Sequence, residues 1–209
     1  MRIGITGSAG RNEDRNIIKP FHYEHVYDFV KRFCEEQKSI PELVSGGAAW
    51  IDHVAVGLAK AEKYPLTLHL PCEWDAEQKR YLQLPNPKDT GAIANHYHHA
   101  FSLLMTNYQS SNRTLHTIDE AIRNHATITV SNSFQERNIR VADVDCLIAA
   151  TFGANPGSIV YYAENKPGWD NAGKAGLKKG GTYQTWNVST APLKIHISLD
   201  PNHLTNTEY

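Results

Sequence analysis

An α/β domain is what this sequence predicts: Rossmann-like, with a mostly parallel sheet, helices on both faces and an inserted helical and loop segment. Three observations point there. Short apolar runs of strand character alternate with stretches of helical periodicity, the pattern of βαβ units. Glycine-bearing turns stand where strands hand over to helices. The run Cys146-Leu147-Ile148-Ala149-Ala150 is unbroken and apolar, as a central strand covered on both faces requires. Residues 1–199 read as one domain with the insertion at about 72–126, and residues 200–209 as a polar tail.

Along the chain, Ile3 to Thr6 is the first strand and Gly7-Ser8-Ala9-Gly10 its exit loop. Val26, Phe29, Val30 and Phe33 follow helical spacing and form a single buried stripe. Glu42 to Ser45 is a short second strand ended by Gly46-Gly47. Ile51, Val54, Ala55 and Leu58 share one face of the next helix. Leu66 to Leu70 is the third strand, closed by Pro71.

From Cys72 the pattern loosens into a loop with Pro85, Pro87, Asp89 and Gly91, a histidine-rich segment and a Ser/Asn-rich connection. Helical spacing returns at Ile118, Ala121, Ile122 and His125. This insertion is expected to cover or line a site. Thr127 to Ser131 is a strand, and Phe134, Asn138, Val141 and Ala142 mark a helix before the central run. Gly153 to Lys179 is polar and rich in glycine and proline, hence a long loop. Gly180-Gly181-Thr182 opens a last helix. Lys194 to Leu199 alternates like an edge strand with one wet face.

Composition narrows the function classes. The 209 residues suffice for a sizeable core, with roughly 70% of the unfolded surface buried. A net charge of −1 lacks the footprint of a general duplex binder and disfavours nucleic acid as a partner. The longest apolar run is far shorter than the ~18 residues of a spanning helix, so no membrane role is expected. Cys34, Cys72 and Cys146 form no metal-type pair. Their odd number and the absence of a leader at Met1 predict a cytoplasmic protein.

The three glycine turns, at Gly7, at Ser45-Gly46-Gly47 and at Gly180-Gly181-Thr182, should gather on the rim where strand C-termini and helix N-termini meet. Free N–H groups and the helix dipole attract phosphate or carboxylate there, and glycine lets backbone approach the anion. Thr182 and Thr185 could add hydroxyl donors. Val44-Ser45-Gly46-Gly47-Ala48-Ala49-Trp50-Ile51-Asp52 resembles the SGGA-x-G-x-D turn of the SLOG superfamily. Arg137-Asn138 resembles its R-[NK] motif, Gly180 to Thr185 its GGT-x-x-T phosphate loop, and Ile5-Thr6-Gly7-Ser8 its first strand and turn. The superfamily includes phosphoribohydrolases, DNA-processing protein A and nucleotide sensors. The resemblance implies a nucleotide-binding Rossmann-like fold, often homo-oligomeric. The hydrolases carry a glutamate after their phosphate loop, where this chain has Gln184 and Thr185. Ala49 and Trp50 also stand where many relatives have Arg and Gly.

The candidate ligand-binding residues are therefore Gly7, Ser8, Arg11, Ser45, Gly46, Gly47, Asp52, Trp74, Arg137, Asn138, Gly180, Gly181, Thr182 and Thr185. Arg137 is a phosphate clamp, by its bidentate fork, or a surface arginine paired with Glu136 or Asp143. Asp52 contacts a ribose or favours its helix dipole. Trp74 stacks on a base or belongs to the core. His96, His98 and His99 lack a completing acid or thiol, so a solvated helix face is preferred to a metal site. Gly4, Gly7 and Gly10 make a poor dinucleotide fingerprint. Tyr162 and Lys166 match a short-chain dehydrogenase pair by spacing alone.

Two functions follow: binding a nucleotide or a derivative such as an ADP-ribose-like or cyclic species, without a further cofactor, or cleaving its N-glycosidic bond. For cleavage Glu73 is the favoured acid, because Pro71 delivers it to the rim beside Trp74, whose indole would part-bury it and raise its pKa.

Overall fold

The computed structural model describes residues 1–86, 89–152, 159–163 (backbone only), 177 and 180–200. Apolar strand runs pair into one sheet: β1 (Arg2–Gly7), β2 (Glu42–Ser45), β3 (Leu66–Leu70), β6 (Thr127–Val130), β7 (Cys146–Thr151), β8 (Ile159–Ala163) and β9 (Leu193–Ser198). Their order is β6-β3-β2-β1-β7-β9-β8. Every neighbouring pair is parallel except β8 with β9. This is the expected Rossmann-like α/β sheet, and its order reverses direction at β1 and β7. β4 (Trp74–Asp75) and β5 (Arg80–Tyr81) form a separate small hairpin.

Register sets the two layers of core. Ile3 stands opposite both Leu43 and Cys146, and Ile148 opposite Ile195. These side chains face α2 (Pro20–Glu35) and α3 (His53–Glu62), whose Val26, Val30, Val54 and Leu58 are fully buried against them. The alternate residues Val44, Leu147 and Ala149 point to the other face, where Trp186 of α7 (Gly181–Val188) closes a second cluster. α6 (Phe134–Val141) packs beside α7. α6 starts where it does because the Ser133 hydroxyl accepts the Glu136 N–H at 3.1 Å. A four-residue helix, α1 (Asp14–Ile17), lies in the β1–α2 connection.

The stretch between β3 and β6 holds the β4–β5 hairpin, α4 (Thr90–Met105) and α5 (Arg113–Arg123). Since β3 and β6 are parallel neighbours, these helices supply their crossover, and α5 packs on α3. Asp89 caps α4, its carboxylate accepting the Gly91 and Ala92 N–H groups at 3.0 and 3.2 Å.

Three expectations are corrected. β9 is no edge strand, because Ile159–Ala163, expected within a loop, is a strand paired along its outer side. Its polar residues are buried, not wet: the Lys194 ammonium donates to the carbonyls of Trp186 and Ser189 at 3.0 and 2.6 Å, and His196 bonds Thr151 at 2.9 Å. Nor is His98 on a solvated face; it is fully buried between α4 and the Gly47 turn. The other residues of the polar segment before Gly180 except Leu177, among them Lys166 of the dehydrogenase-like pair, and the tail after Asp200 lie outside the described residues. No helix among the described residues is long and apolar enough to cross a membrane.

Candidate functional site

The sheet reverses between β1 and β7, so loops leaving their C-termini diverge and open a crevice at the switch point. A cavity of about 260 Å³ lies there. Gly7 and Ser8 from β1, Thr151 from β7, Arg137 and Asn138 from α6, and Gly181 and Thr182 from α7 contribute to its wall. Arg11, Asp52 and Gly180 also line it. Gly7 and the Gly180-Gly181-Thr182 turn thus share one cavity, whereas of the expected Ser45-Gly46-Gly47 turn Gly46 lines only a narrow neighbouring slot and Gly47 lines neither.

Asp52 ties the floor together. It sits in a 3-10 turn (Trp50–Asp52) leading into α3 and is 2% exposed, so its carboxylate needs partners. One oxygen accepts the Gly7 N–H at 3.1 Å, and the other accepts Arg137 Nη1 at 2.7 Å. The Ser45 hydroxyl donates to the Asp52 carbonyl at 2.7 Å and accepts the Gly47 N–H at 3.1 Å. Burial pushes the Asp52 carboxyl above its ordinary value, while Arg137 and the Gly7 N–H pull it back. Asp52 and Ser45 therefore hold the turns in place, and Ser45 does not face the cavity.

Arg137 is buried, which excludes the surface alternative. Glu136 instead pairs with Arg140 at 3.0 Å. The Arg137 guanidinium lies against Gly46, where a Cβ would overlap it and force it aside. Gly47, at φ 65°, turns the chain and offers its carbonyl to two donors: the Tyr81 hydroxyl at 2.6 Å and His98 Nε2 at 2.9 Å. A carbonyl only accepts, so the neutral His98 carries its proton on Nε2, and Nδ1 accepts from the Thr114 hydroxyl at 3.1 Å. Burial pushes His98 down to about 4, against the Gly47 bond, so it is neutral at pH 7.

Arg137 keeps its Nε buried without a partner, and so does Arg11. Among the described residues no carboxylate pairs with Arg11; the ion pairs belong to other arginines and to lysines. Burial, and then the charge of Arg137, lower its pKa. The Arg11 guanidinium rests on Phe134, 4.5 Å from the ring centroid, and on Tyr97 at 5.1 Å.

Other candidates are engaged within the fold or lie away from the cavity. Thr185 is fully buried and returns its hydroxyl to the Gly181 carbonyl at 3.0 Å, a bond internal to α7. Asn138 donates to the Gly181 carbonyl and to Gln184 at 3.4 and 3.3 Å, joining α6 to α7 at the cavity edge. Trp74 packs edge-on against Tyr81 and directs its indole N–H at Asp119, 3.4 Å away, not at the cavity. Glu73 is exposed and lines neither the cavity nor its neighbour, so the expected burial by Trp74 does not occur. Among the described residues no three His, Cys, Asp or Glu side chains cluster as a metal needs.

Sequence reading missed Thr151, Phe134 and Tyr97 as site residues. Thr151 follows the central apolar run directly and Phe134 opens the helix after β6, positions that the rim argument could have flagged. Tyr97 comes from α4, and only the tertiary fold places it.

Fold and site together define an α/β domain with a polar, arginine-bearing crevice at its switch point. Among curated proteins, the chain is similar to uncharacterized protein R261 of Acanthamoeba polyphaga mimivirus, 28% identical over 207 residues, which are 95% of this chain and 96% of that protein. No family model and no solved structure matches the chain.

Proposed function

We propose that this protein binds a nucleotide or nucleotide-derived phosphate in the switch-point cavity and acts as a sensor or sequestering protein. One observation carries the reading. Two guanidinium groups, Arg11 and the nine-tenths-buried Arg137, reach one cavity with their Nε atoms unpartnered. A buried donor without an acceptor is costly, and a phosphate supplies acceptors of the matching charge. The N-terminus of α7 opens on the same space, with the Thr182 hydroxyl beside it. The resemblance of these turns to the SLOG motifs agrees with this chemistry.

Cleavage of an N-glycosidic bond would need an acid in the cavity. The acids that line it among the described residues are Asp52, engaged with Arg137, and Asp14, which accepts the Ser8 hydroxyl at 2.7 Å. Binding is thus the function that the site supports best. The same reading takes the protein as cytoplasmic, and as a homo-oligomer, the latter checked by sedimentation of the purified chain.

The test is thermal unfolding against nucleoside mono-, di- and triphosphates, cyclic nucleotides and ADP-ribose. A ligand at 100 times its Kd stabilises by about 2.7 kcal/mol. That is a rise of about 5–11 °C in melting temperature for a chain of this size. Arg11→Ala should abolish the rise. No shift with any of these compounds, or an equal shift in Arg11→Ala, overturns the reading.

A further inference from the structure

Arg11 stands at the border of two unlike spaces. On one side is the polar cavity beneath Gly7 and Gly181. On the other is a slot of only about 10 Å³, walled by Tyr81, Ala94, Tyr97, His98 and Phe134. The slot is nearly full because the guanidinium lies over the two rings at its mouth, Phe134 and Tyr97. A guanidinium is planar, delocalised and stacks on aromatic faces, so the surface that accepts it also accepts a flat heteroaromatic ring. Stacking there leaves its Nε without an acceptor. The turn that carries it has Gly10 and Asn12 at φ 69° and 53°.

We propose that the slot between Phe134 and Tyr97 is the subsite for the base of the bound nucleotide, and that Arg11 fills it in the free protein. On binding, the base replaces the guanidinium between the rings. Arg11 leaves the rings and moves further into the polar cavity that it already borders, where the phosphate becomes the anion it lacks. This rests on the phosphate-binding reading above and adds to it the recognition of a purine or pyrimidine base. It also assigns Tyr97, from the β3–β6 crossover, a direct part in recognition.

Calorimetric titration of ribose 5-phosphate and of AMP, GMP, CMP and UMP into the full chain separates the two ideas. In wild type at least one nucleotide should bind about tenfold more tightly than ribose 5-phosphate, the scale of one stacked base. In Tyr97→Leu and Phe134→Leu that ratio should fall towards one. Arg11→Ala, which empties the slot, should bind adenosine more tightly than wild type while losing ribose 5-phosphate. If ribose 5-phosphate binds wild type as tightly as every nucleotide, the base subsite falls and the phosphate site stands. If neither binds, both fall. Unchanged adenosine affinity in Arg11→Ala also overturns the role given to Arg11.

Discussion

Arg137→Ala tests how the crevice is built. Arg137 and Asp52 are 7% and 2% exposed and share a 2.7 Å contact, so the substitution leaves a buried carboxylate without its guanidinium partner, held by the N–H groups of Gly7 and Ala48. Breaking a buried pair by removing one member costs about 3–5 kcal/mol. At about 2–4 °C per kcal/mol for a chain of this size, the melting temperature should fall by roughly 6–20 °C. Urea unfolding at several pH values measures the same deficit. Burial already raises the Asp52 pKa, and removing Arg137 removes the largest opposing pull. A carboxyl whose folded pKa lies above its unfolded one stabilises the fold while protonated and loses that contribution as pH rises through the folded value. The deficit of Arg137→Ala should therefore shrink as pH falls from neutrality towards the ordinary 3.8. Arg137→Met with Asp52→Leu should recover most of the loss. An Arg137→Ala protein within about 1 kcal/mol of wild type, with no pH trend in the difference, would refute the account of Asp52 as the buried tie.

Four further outcomes follow from the same structure. Gly46→Ala forces the Arg137 guanidinium off the turn and should cost about 1–3 kcal/mol in urea unfolding while abolishing phosphate binding. His69, His98 and His196 are held down to about 4, below their ordinary 6.5. The unfolded chain then binds more protons between those values, so stability should drop by up to about 1.4 kcal/mol per pH unit for each histidine as pH falls through that window. Lys194→Met leaves the Trp186 and Ser189 carbonyls without their donor and should cost about 1–3 kcal/mol, read from the melting temperature. Glu73→Gln should leave nucleotide affinity unchanged, because Glu73 is exposed and away from the cavity; a tenfold loss by titration would return it to the site.

Much of the fold was legible because its signals are local. β2 and β3 begin and end where alternation and flanking glycine or proline place them, and β7 is announced by its apolar run. The Gly7 and Gly180 turns could be assigned to one rim because parallel topology puts strand ends together. What the sequence concealed was settled by partners far along the chain. Lys194, His196 and Ser198 look like the wet side of an edge strand, yet carbonyls at Trp186 and Ser189 and the Thr151 hydroxyl satisfy the first two within the fold. β8 was hidden in a stretch whose glycines and prolines read as loop. Asp52 and Arg137 lie 85 positions apart, and no spacing rule links them. His98 offered a histidine cluster to the eye, whereas its actual task is to hold the Gly47 carbonyl.

The place of β9 has a consequence for biosynthesis. It is the last strand in the described chain, yet it lies between β7 and β8, inside the sheet. Until Leu193–Ser198 has been synthesised, β7 presents an apolar strand with its outer row of N–H and C=O groups unpaired. β8, made earlier, has no partner in the sheet. Such an edge recruits other chains. A nascent chain halted before Leu193 should therefore aggregate or engage chaperones, and release of the last strand is the event that pairs both β7 and β8.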